Sequence, residues 1–189
     1  MSSPEAARFE ATLVLDAAGL AVTLDHLAEA IAAQFAGQRE LALVGIRRRG
    51  DLLAQRLAER LAAHLGFRPP IGALDITLYR DDFDSLAEQP IIGQTDIPFA
   101  LHGKTIILVD DVLYTGRTVR AALDELLDLG RPTRIALAVL VDRGGRELPI
   151  CPDFTGLQLP VAPHAQVQVL LAELDGRDAV EHLQPRESA

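Results

Sequence analysis

The chain has 189 residues, 49% of them apolar, which matches one domain with enough apolar material to bury a core. A formal net charge of −9 disfavours nonspecific attraction to nucleic acid or anionic membrane. The single cysteine, Cys151, excludes an internal disulfide and a multi-thiolate zinc site.

No charged start leads into an apolar segment with a small-residue cleavage site, and no apolar run reaches the ~20 residues of a membrane span. A soluble cytoplasmic protein with no membrane partner is expected. Cys151 lies beside prolines with no nearby His and reads as a packing residue rather than a reactive thiol. Lys104 is the only lysine; the other basic residues are arginines, whose planar fork suits phosphate oxygens.

Along the chain, 1–8 reads as a tail and Phe9 to Leu15 as an edge strand. Leu20, Leu24, Leu27, Ile31 and Phe35 recur at helical spacing, and Gly37 is placed to end that helix. The apolar run Leu41 to Ile46 reads as a strand. Arg47-Arg48-Arg49-Gly50 follows as a loop, then a helix carrying Leu53, Leu57, Leu61 and Leu65. A second strand is expected from Ile71 to Tyr79. The stretch from Arg80 to Leu101 is polar, broken by prolines and too long for an ordinary connection, as lids often are.

Thr105 to Val109 reads as a buried strand ending in Asp110-Asp111. The chain then turns through Tyr114-Thr115-Gly116 into a helix with Val119, Leu123, Leu126 and Leu127 inward, stopped by Gly130 and Pro132. Ile135 to Val141 is another strand, Asp142 to Pro163 is loop-rich, and Gln166 to Leu171 is a late strand; 177–189 reads as a tail. Strands separated by helices predict an α/β fold: one domain over 9–176 with a mostly parallel central sheet flanked by helices and a flexible hood loop.

In such a sheet, ligands bind beyond the carboxyl ends of the strands. The segment Val109-Asp110-Asp111-Val112-Leu113-Tyr114-Thr115-Gly116-Arg117-Thr118 puts two carboxylates at a strand end and a hydroxyl-bearing glycine turn at a helix start. Carboxylates accept hydrogen bonds from sugar hydroxyls, and free amides at a helix N-terminus accept a phosphate, so the arrangement suits a phosphorylated sugar. The residues alone leave a second reading level with it, in which Asp110 and Asp111 cap the turn or bind a metal. Three consecutive guanidiniums at Arg47 to Arg49 would attract pyrophosphate; taken alone they fit a solvated charge run better.

The stretch from Ile107 to Thr118 resembles the phosphoribosyl pyrophosphate motif of type I phosphoribosyltransferases: four apolar residues, two acids and a Thr-Gly turn. With Asp75-Ile76-Thr77-Leu78-Tyr79-Arg80-Asp81-Asp82, with Leu140-Val141-Asp142-Arg143-Gly144 and with Arg146-Glu147-Leu148-Pro149-Ile150, it looks like the PyrR family. That family comprises pyrimidine operon attenuation regulators that also have uracil phosphoribosyltransferase activity. The resemblance spans roughly Val14 to Asp175. It implies uracil and phosphoribosyl pyrophosphate as substrates, UMP as product, and Mg²⁺ as a cofactor held mainly by substrate rather than by the protein. It further implies a homodimer or higher oligomer and a pyrimidine operon leader messenger RNA as partner.

By resemblance, Asp110 and Asp111 hold the ribose hydroxyls, Thr115, Gly116, Arg117 and Thr118 cradle the 5′-phosphate, and Val112, Leu113 and Tyr114 belong to the same substrate-binding segment. Arg47, Arg48, Arg49 and Gly50 form the pyrophosphate loop, where this family commonly has a cis non-proline peptide. Arg80 on the hood clamps pyrophosphate, and Asp142 and Arg143 begin the base pocket. The chain departs from the pattern at Arg48 (usually Thr), Gly145 (usually His) and Cys151 (usually Arg). The first helix offers Val22, Asp25, His26 and Glu29 where the family turns Arg, Thr and His toward RNA, and no Lys or Arg occurs from Glu10 through Gln38. These changes predict transferase activity with weakened or absent RNA attenuation. A UMP-sensing regulator with little turnover and a purine phosphoribosyltransferase are the alternatives.

Overall fold

The computed structural model describes residues 9–77 and 94–186. In chain order the elements are β1 (Phe9–Leu15), α1 (Ala17–Gln34), β2 (Leu41–Ile46), α2 (Gly50–Leu65), β3 (Ile71–Leu74), β4 (Thr105–Leu113) and α3 (Arg117–Leu129). They continue with β5 (Arg134–Asp142), β6 (Phe154–Gln158), β7 (Gln166–Leu170), α4 (Ala172–Asp175) and β8 (Ala179–Pro185). Five strands form a parallel sheet in the order β3-β2-β4-β5-β6, and three form an antiparallel sheet in the order β1-β8-β7.

The unbroken apolar runs of β2, β4 and β5 follow from burial on both faces, where successive side chains enter different cores. Leu41 and Leu43 of β2, Ile107 and Val109 of β4, and Ala138 and Leu140 of β5 pack with α1 and α2. Ala42 and Val44, Ile106 and Leu108, and Leu137 and Val139 pack on the other face with α3. Asp16 caps α1 by accepting the Gly19 amide at 2.8 Å, and Gly66, left-handed at φ 72°, closes α2.

Several expectations need correction. The strand from Ile71 stops at Leu74 instead of Tyr79, because the Asp75 carboxylate accepts the Thr77 amide at 2.9 Å and turns the chain; Tyr79 lies outside the described residues. β4 runs four residues past Val109, so the acids lie within a strand paired to β5 rather than after it. Leu127 is exposed, since Ala122, Glu125 and Leu126 form the inward face of α3. Cys151 is exposed rather than packed. Within the stretch expected as loop, Phe154 to Gln158 adds β6 beside β5. The segment expected as a tail after Gly176 contains β8, the central strand of the small sheet. α1 is capped at Phe35, with Gly37 two residues beyond.

Candidate active site

The last residue pair joining β2 to β4 is Gly45 with Val109, whereas β4 stays paired to β5 through Leu113 and Asp142. Asp110 and Asp111 therefore stand past the end of β2. From here β2 leads through α2 to one edge of the sheet and β4 leads through α3 toward the other, so a crevice opens at this switch in strand order.

On one wall of that crevice lies the loop from Arg47 to Gly50. Its Arg47–Arg48 peptide is cis, Arg49 has φ 71°, and the Arg47 amide donates to the Leu74 carbonyl at 2.8 Å. Arg48 is exposed, while Arg47 and Arg49 are half-buried. The Arg49 guanidinium donates to Asp175 of α4 at 3.0 Å, an ion pair that joins the small sheet to the site. Two glycines bring the start of α2 onto the sheet. A methyl group on Gly50 would sit 2.5 Å from the Val109 carbonyl oxygen, and one on Gly45 would meet the Gly50 carbonyl and Asp51 backbone well inside contact distance.

The opposite wall is the β4–α3 turn. Asp110 is buried; its carboxylate accepts the Asp111 amide at 3.0 Å, and Asp111 accepts the Val112 amide at 2.9 Å. Burial pushes the Asp111 carboxyl above its ordinary value, and the Val112 amide, Asp110 and the positive field of Arg49 act against that rise. Gly116, at φ 92°, precedes α3 and supplies no side-chain cap; the Arg117 amide reaches Thr115 Oγ1 at 3.3 Å. This is a helix start with its dipole end toward the crevice, the setting in which backbone amides receive an anion.

The turn is braced from behind by the loop after β5. The amides of Glu147 and Leu148 donate to the Thr115 carbonyl at 3.0 and 3.1 Å, Arg146 donates to the Tyr114 carbonyl at 2.8 Å, and Arg117 pairs with Glu147 at 2.8 Å. Asp142 accepts the Gly144 amide at 2.9 Å and pairs with Arg146 at 2.6 Å, so its carboxylate shapes this loop. Arg143 is 7% exposed, and its guanidinium carbon lies 3.8 Å from the centre of the Tyr114 ring; its buried Nε has no partner among the described residues.

The structure thus brings Arg47, Arg48, Arg49 and Gly50 to one side of the crevice. Asp110, Asp111 and the segment from Val112 to Thr118 lie on the other, with Asp142 and Arg143 behind. Arg80 lies outside the described residues. Sequence reading missed four contributors. Gly45 carried a signal, an isolated glycine inside an apolar strand run, which marks close backbone approach. Asp75 and Thr77 were read only as motif letters, yet they line a cleft of about 480 Å³ with Arg47, Arg48, Asp51, Leu52 and Leu174. Asp175 carried no local signal, because its partner lies 126 residues away.

Comparison with known proteins identifies the family. The family described as phosphoribosyl transferase domain matches residues 12–173. A protein named bifunctional protein PyrR from Pelotomaculum thermopropionicum is 51% identical, covering 94% of this chain and 98% of that protein. Its namesake from Deinococcus deserti is 52% identical over 96% of each. Among solved structures, a hypoxanthine phosphoribosyltransferase from Staphylococcus aureus superposes with a TM-score of 0.70 over 98% of this chain and 97% of that one, at 19% identity. One from Trypanosoma cruzi gives 0.69 at 14% identity, over 93% and 97%. At those identities the structural likeness establishes the fold. The chain belongs to the phosphoribosyltransferase family and, within it, to the PyrR proteins.

Proposed function

We propose that this protein transfers the phosphoribosyl group of phosphoribosyl pyrophosphate to uracil, giving UMP and pyrophosphate. The observation that supports this most directly is the extension of β4 past β2, which sets Asp110 and Asp111 between the Arg47–Gly50 loop and the uncapped start of α3. The fold presents one acidic centre between two anion-receiving ends, and the substrate is a ribose with phosphate at one end and pyrophosphate at the other.

In this reading Asp110 and Asp111 accept hydrogen bonds from the ribose hydroxyls, and the amides and hydroxyls of Thr115 to Thr118 receive the 5′-phosphate. Arg47 to Arg49 receive pyrophosphate, with Gly50 allowing the loop to approach β4; Arg80 is assigned to pyrophosphate by family pattern. As the bond from C1′ to the pyrophosphate oxygen lengthens, positive charge grows on the ribose and the buried carboxylates stabilise it. The bond from uracil N1 to C1′ forms as the pyrophosphate bond breaks, and the N1 proton passes to solvent. Positioning of this kind supplies about 7–11 kcal/mol in intramolecular precedents, so no nucleophilic side chain is required.

Mg²⁺ fits this site because the donors facing the ribose are hard carboxylate oxygens, with Asp110 and Asp111 the groups beside it. When bound, Mg²⁺ would supply charge neutralisation for a departing pyrophosphate. Asp142 and Arg143 are assigned to the base end of the site by family pattern; there the Arg143 guanidinium lies 3.8 Å from the centre of the Tyr114 ring.

A second activity, regulation through a pyrimidine operon leader RNA, is disfavoured by the outer face of α1. Val22, Asp25, His26 and Glu29 are all exposed there, and Asp25 already binds Arg60 at 2.7 Å. Carboxylates on that face would repel phosphates. The deciding experiment mixes the protein with Mg²⁺, phosphoribosyl pyrophosphate and either uracil, hypoxanthine or guanine, and follows nucleotide and pyrophosphate. Turnover with uracil is expected. Turnover with a purine alone would overturn the pyrimidine assignment, and tight UMP binding without turnover would make the protein a nucleotide sensor.

A further inference from the structure

α3 carries a carboxylic acid that the transferase reading does not use. Glu125 is 7% exposed, sits on the inward face between Ala122 and Leu126, and has one oxygen, Oε2, buried with no partner among the described residues. Buried acids are rare unless something engages them. Here the other oxygen, Oε1, accepts the hydroxyl of Thr95 at 2.6 Å.

Thr95 in turn holds the end of β3. Its hydroxyl oxygen accepts the Asp75 amide at 3.0 Å, and because a hydroxyl has a single proton, the proton directed at Glu125 fixes which way its lone pairs face. One residue further on, Asp96 exchanges two backbone hydrogen bonds with Ala73, both at 2.8 Å. Asp75 then fixes Thr77 by accepting from both its amide and its hydroxyl. An unbroken chain of contacts therefore runs from the middle of α3, through Glu125 and Thr95, to Asp75 and Thr77. Those two residues share a cleft with Arg47 and Arg48.

We propose that Glu125 is a positioning residue for the phosphoribosyl site: through Thr95 it sets the strand end carrying Asp75 and Thr77, the cleft wall that faces Arg47 and Arg48. The role rests on the transferase reading, since that cleft is where pyrophosphate is placed. It also links the two ends of one element, because α3 begins at the phosphate turn and reaches the pyrophosphate side two turns later through Glu125.

Burial raises the Glu125 carboxyl above its ordinary value, the neighbouring carboxylates of Asp75 just past β3 and Asp128 from α3 raise it further, and the Thr95 hydroxyl opposes them. Glutamine reproduces the uncharged acceptor without a titrating proton.

The test compares the full-length protein with Glu125→Gln, Glu125→Ala and Thr95→Val. It reads the hydrogen-exchange protection of the Asp75 amide, the calorimetric affinity for inorganic pyrophosphate with Mg²⁺, and KM and kcat for phosphoribosyl pyrophosphate, each from pH 6 to 9. Glu125→Ala and Thr95→Val are expected to weaken pyrophosphate and raise KM about tenfold with kcat within about twofold, a positioning effect on one end of the substrate. Glu125→Gln, which keeps an acceptor for the Thr95 hydroxyl, is expected to hold both values near those of the unmodified chain. Lowered melting temperature in Glu125→Ala and Thr95→Val with Asp75 protection and pyrophosphate affinity unchanged would overturn the proposal and leave Glu125 a packing residue. Because protection and pyrophosphate affinity are read without turnover, an unmodified protein that forms no UMP would defeat the transferase reading separately.

Discussion

Gly50 offers a test in which two known effects have opposite signs. It is the first residue of α2, where alanine is intrinsically better than glycine by about 1 kcal/mol, so helix propensity alone predicts that Gly50→Ala stabilises the protein. The added methyl would sit 2.5 Å from the Val109 carbonyl oxygen and 3.3 Å from Asp110 Cα. Both atoms belong to a central strand paired on each side, so neither can yield as a flexible side chain does. Relieving the overlap requires the start of α2 to retreat by roughly 0.7 Å, and overpacking of that kind costs about 1–3 kcal/mol. The clash therefore exceeds the propensity gain, and a melting temperature lower by a few degrees is expected. Function should suffer more, because the retreat carries Arg47 to Arg49 away from Asp110 and Asp111; misplacement approaching 1 Å can cost about 10²-fold. Thermal denaturation and KM for phosphoribosyl pyrophosphate, measured on the same preparation, decide it. A Gly50→Ala protein that melts higher and keeps its KM would refute the claim that close backbone approach sets this loop.

Four further outcomes follow from the same contacts. Asp111→Asn should reduce UMP formation by at least about 10²-fold in a steady-state assay. It should leave the neutral-pH melting temperature unchanged or raised: the folded carboxyl titrates high, so Asp111 favours folding only below its unfolded value near ~4 and loses that contribution as pH rises through the folded one. Arg56 pairs with Glu173 at 2.6 Å and Asp178 at 2.8 Å and holds both acids below their ordinary values. This stabilisation is present above pH ~4 and disappears as pH falls through the lowered values, so Arg56→Met should flatten the acid limb of a melting-temperature profile. An operon-leader hairpin should bind more weakly than about micromolar with UMP present, and Asp25→Lys with Glu29→Lys should tighten it with a steeper salt dependence in a filter or anisotropy assay. Gly145→His should release Tyr114 from Arg143, since a side chain at that left-handed position (φ 74°) starts 2.5 Å from the Tyr114 ring; Tyr114 fluorescence in a Tyr79→Phe background reports the change.

The parallel core was legible because burial on both faces writes itself as continuous apolar runs, and β2 was located to the residue from Leu41-Ala42-Leu43-Val44-Gly45-Ile46. Elements supported mainly by distant partners were not. β8 mixes Glu181, His182 and Gln184 with apolar residues and exists because β1 and β7 pair on either side of it. β6 is interrupted by Gly156, where any side chain would press into the Leu140 carbonyl and Thr23. The acids and arginines of the site stood out as charges at the ends of apolar runs. That β4 continues through its acids was invisible, because two carboxylates argue locally against a strand and only the pairing to β5 sustains one.

The distribution of ion pairs explains how an acidic chain can suit a polyanionic substrate. Outside the crevice, Arg60 and Arg68 are held by Asp25 and Glu59, and Arg56 is held by two acids of the α4–β8 region, so much of the surface cation density is neutralised locally. Arg49 has one acid, Asp175, and stands within the field of Asp111. It links the small sheet, the Arg47–Gly50 loop and the Asp110–Asp111 pair. An anion entering beside Arg47 and Arg48 competes with Asp175 for Arg49, and any transfer of that guanidinium toward the ligand changes both the field on Asp111 and the tie to α4. Long-range attraction, which would recruit RNA, is suppressed by the net charge of −9, while short-range recognition inside the crevice is preserved. The same charge pattern suits the proposed small phosphorylated substrate better than long-range capture of a nucleic acid.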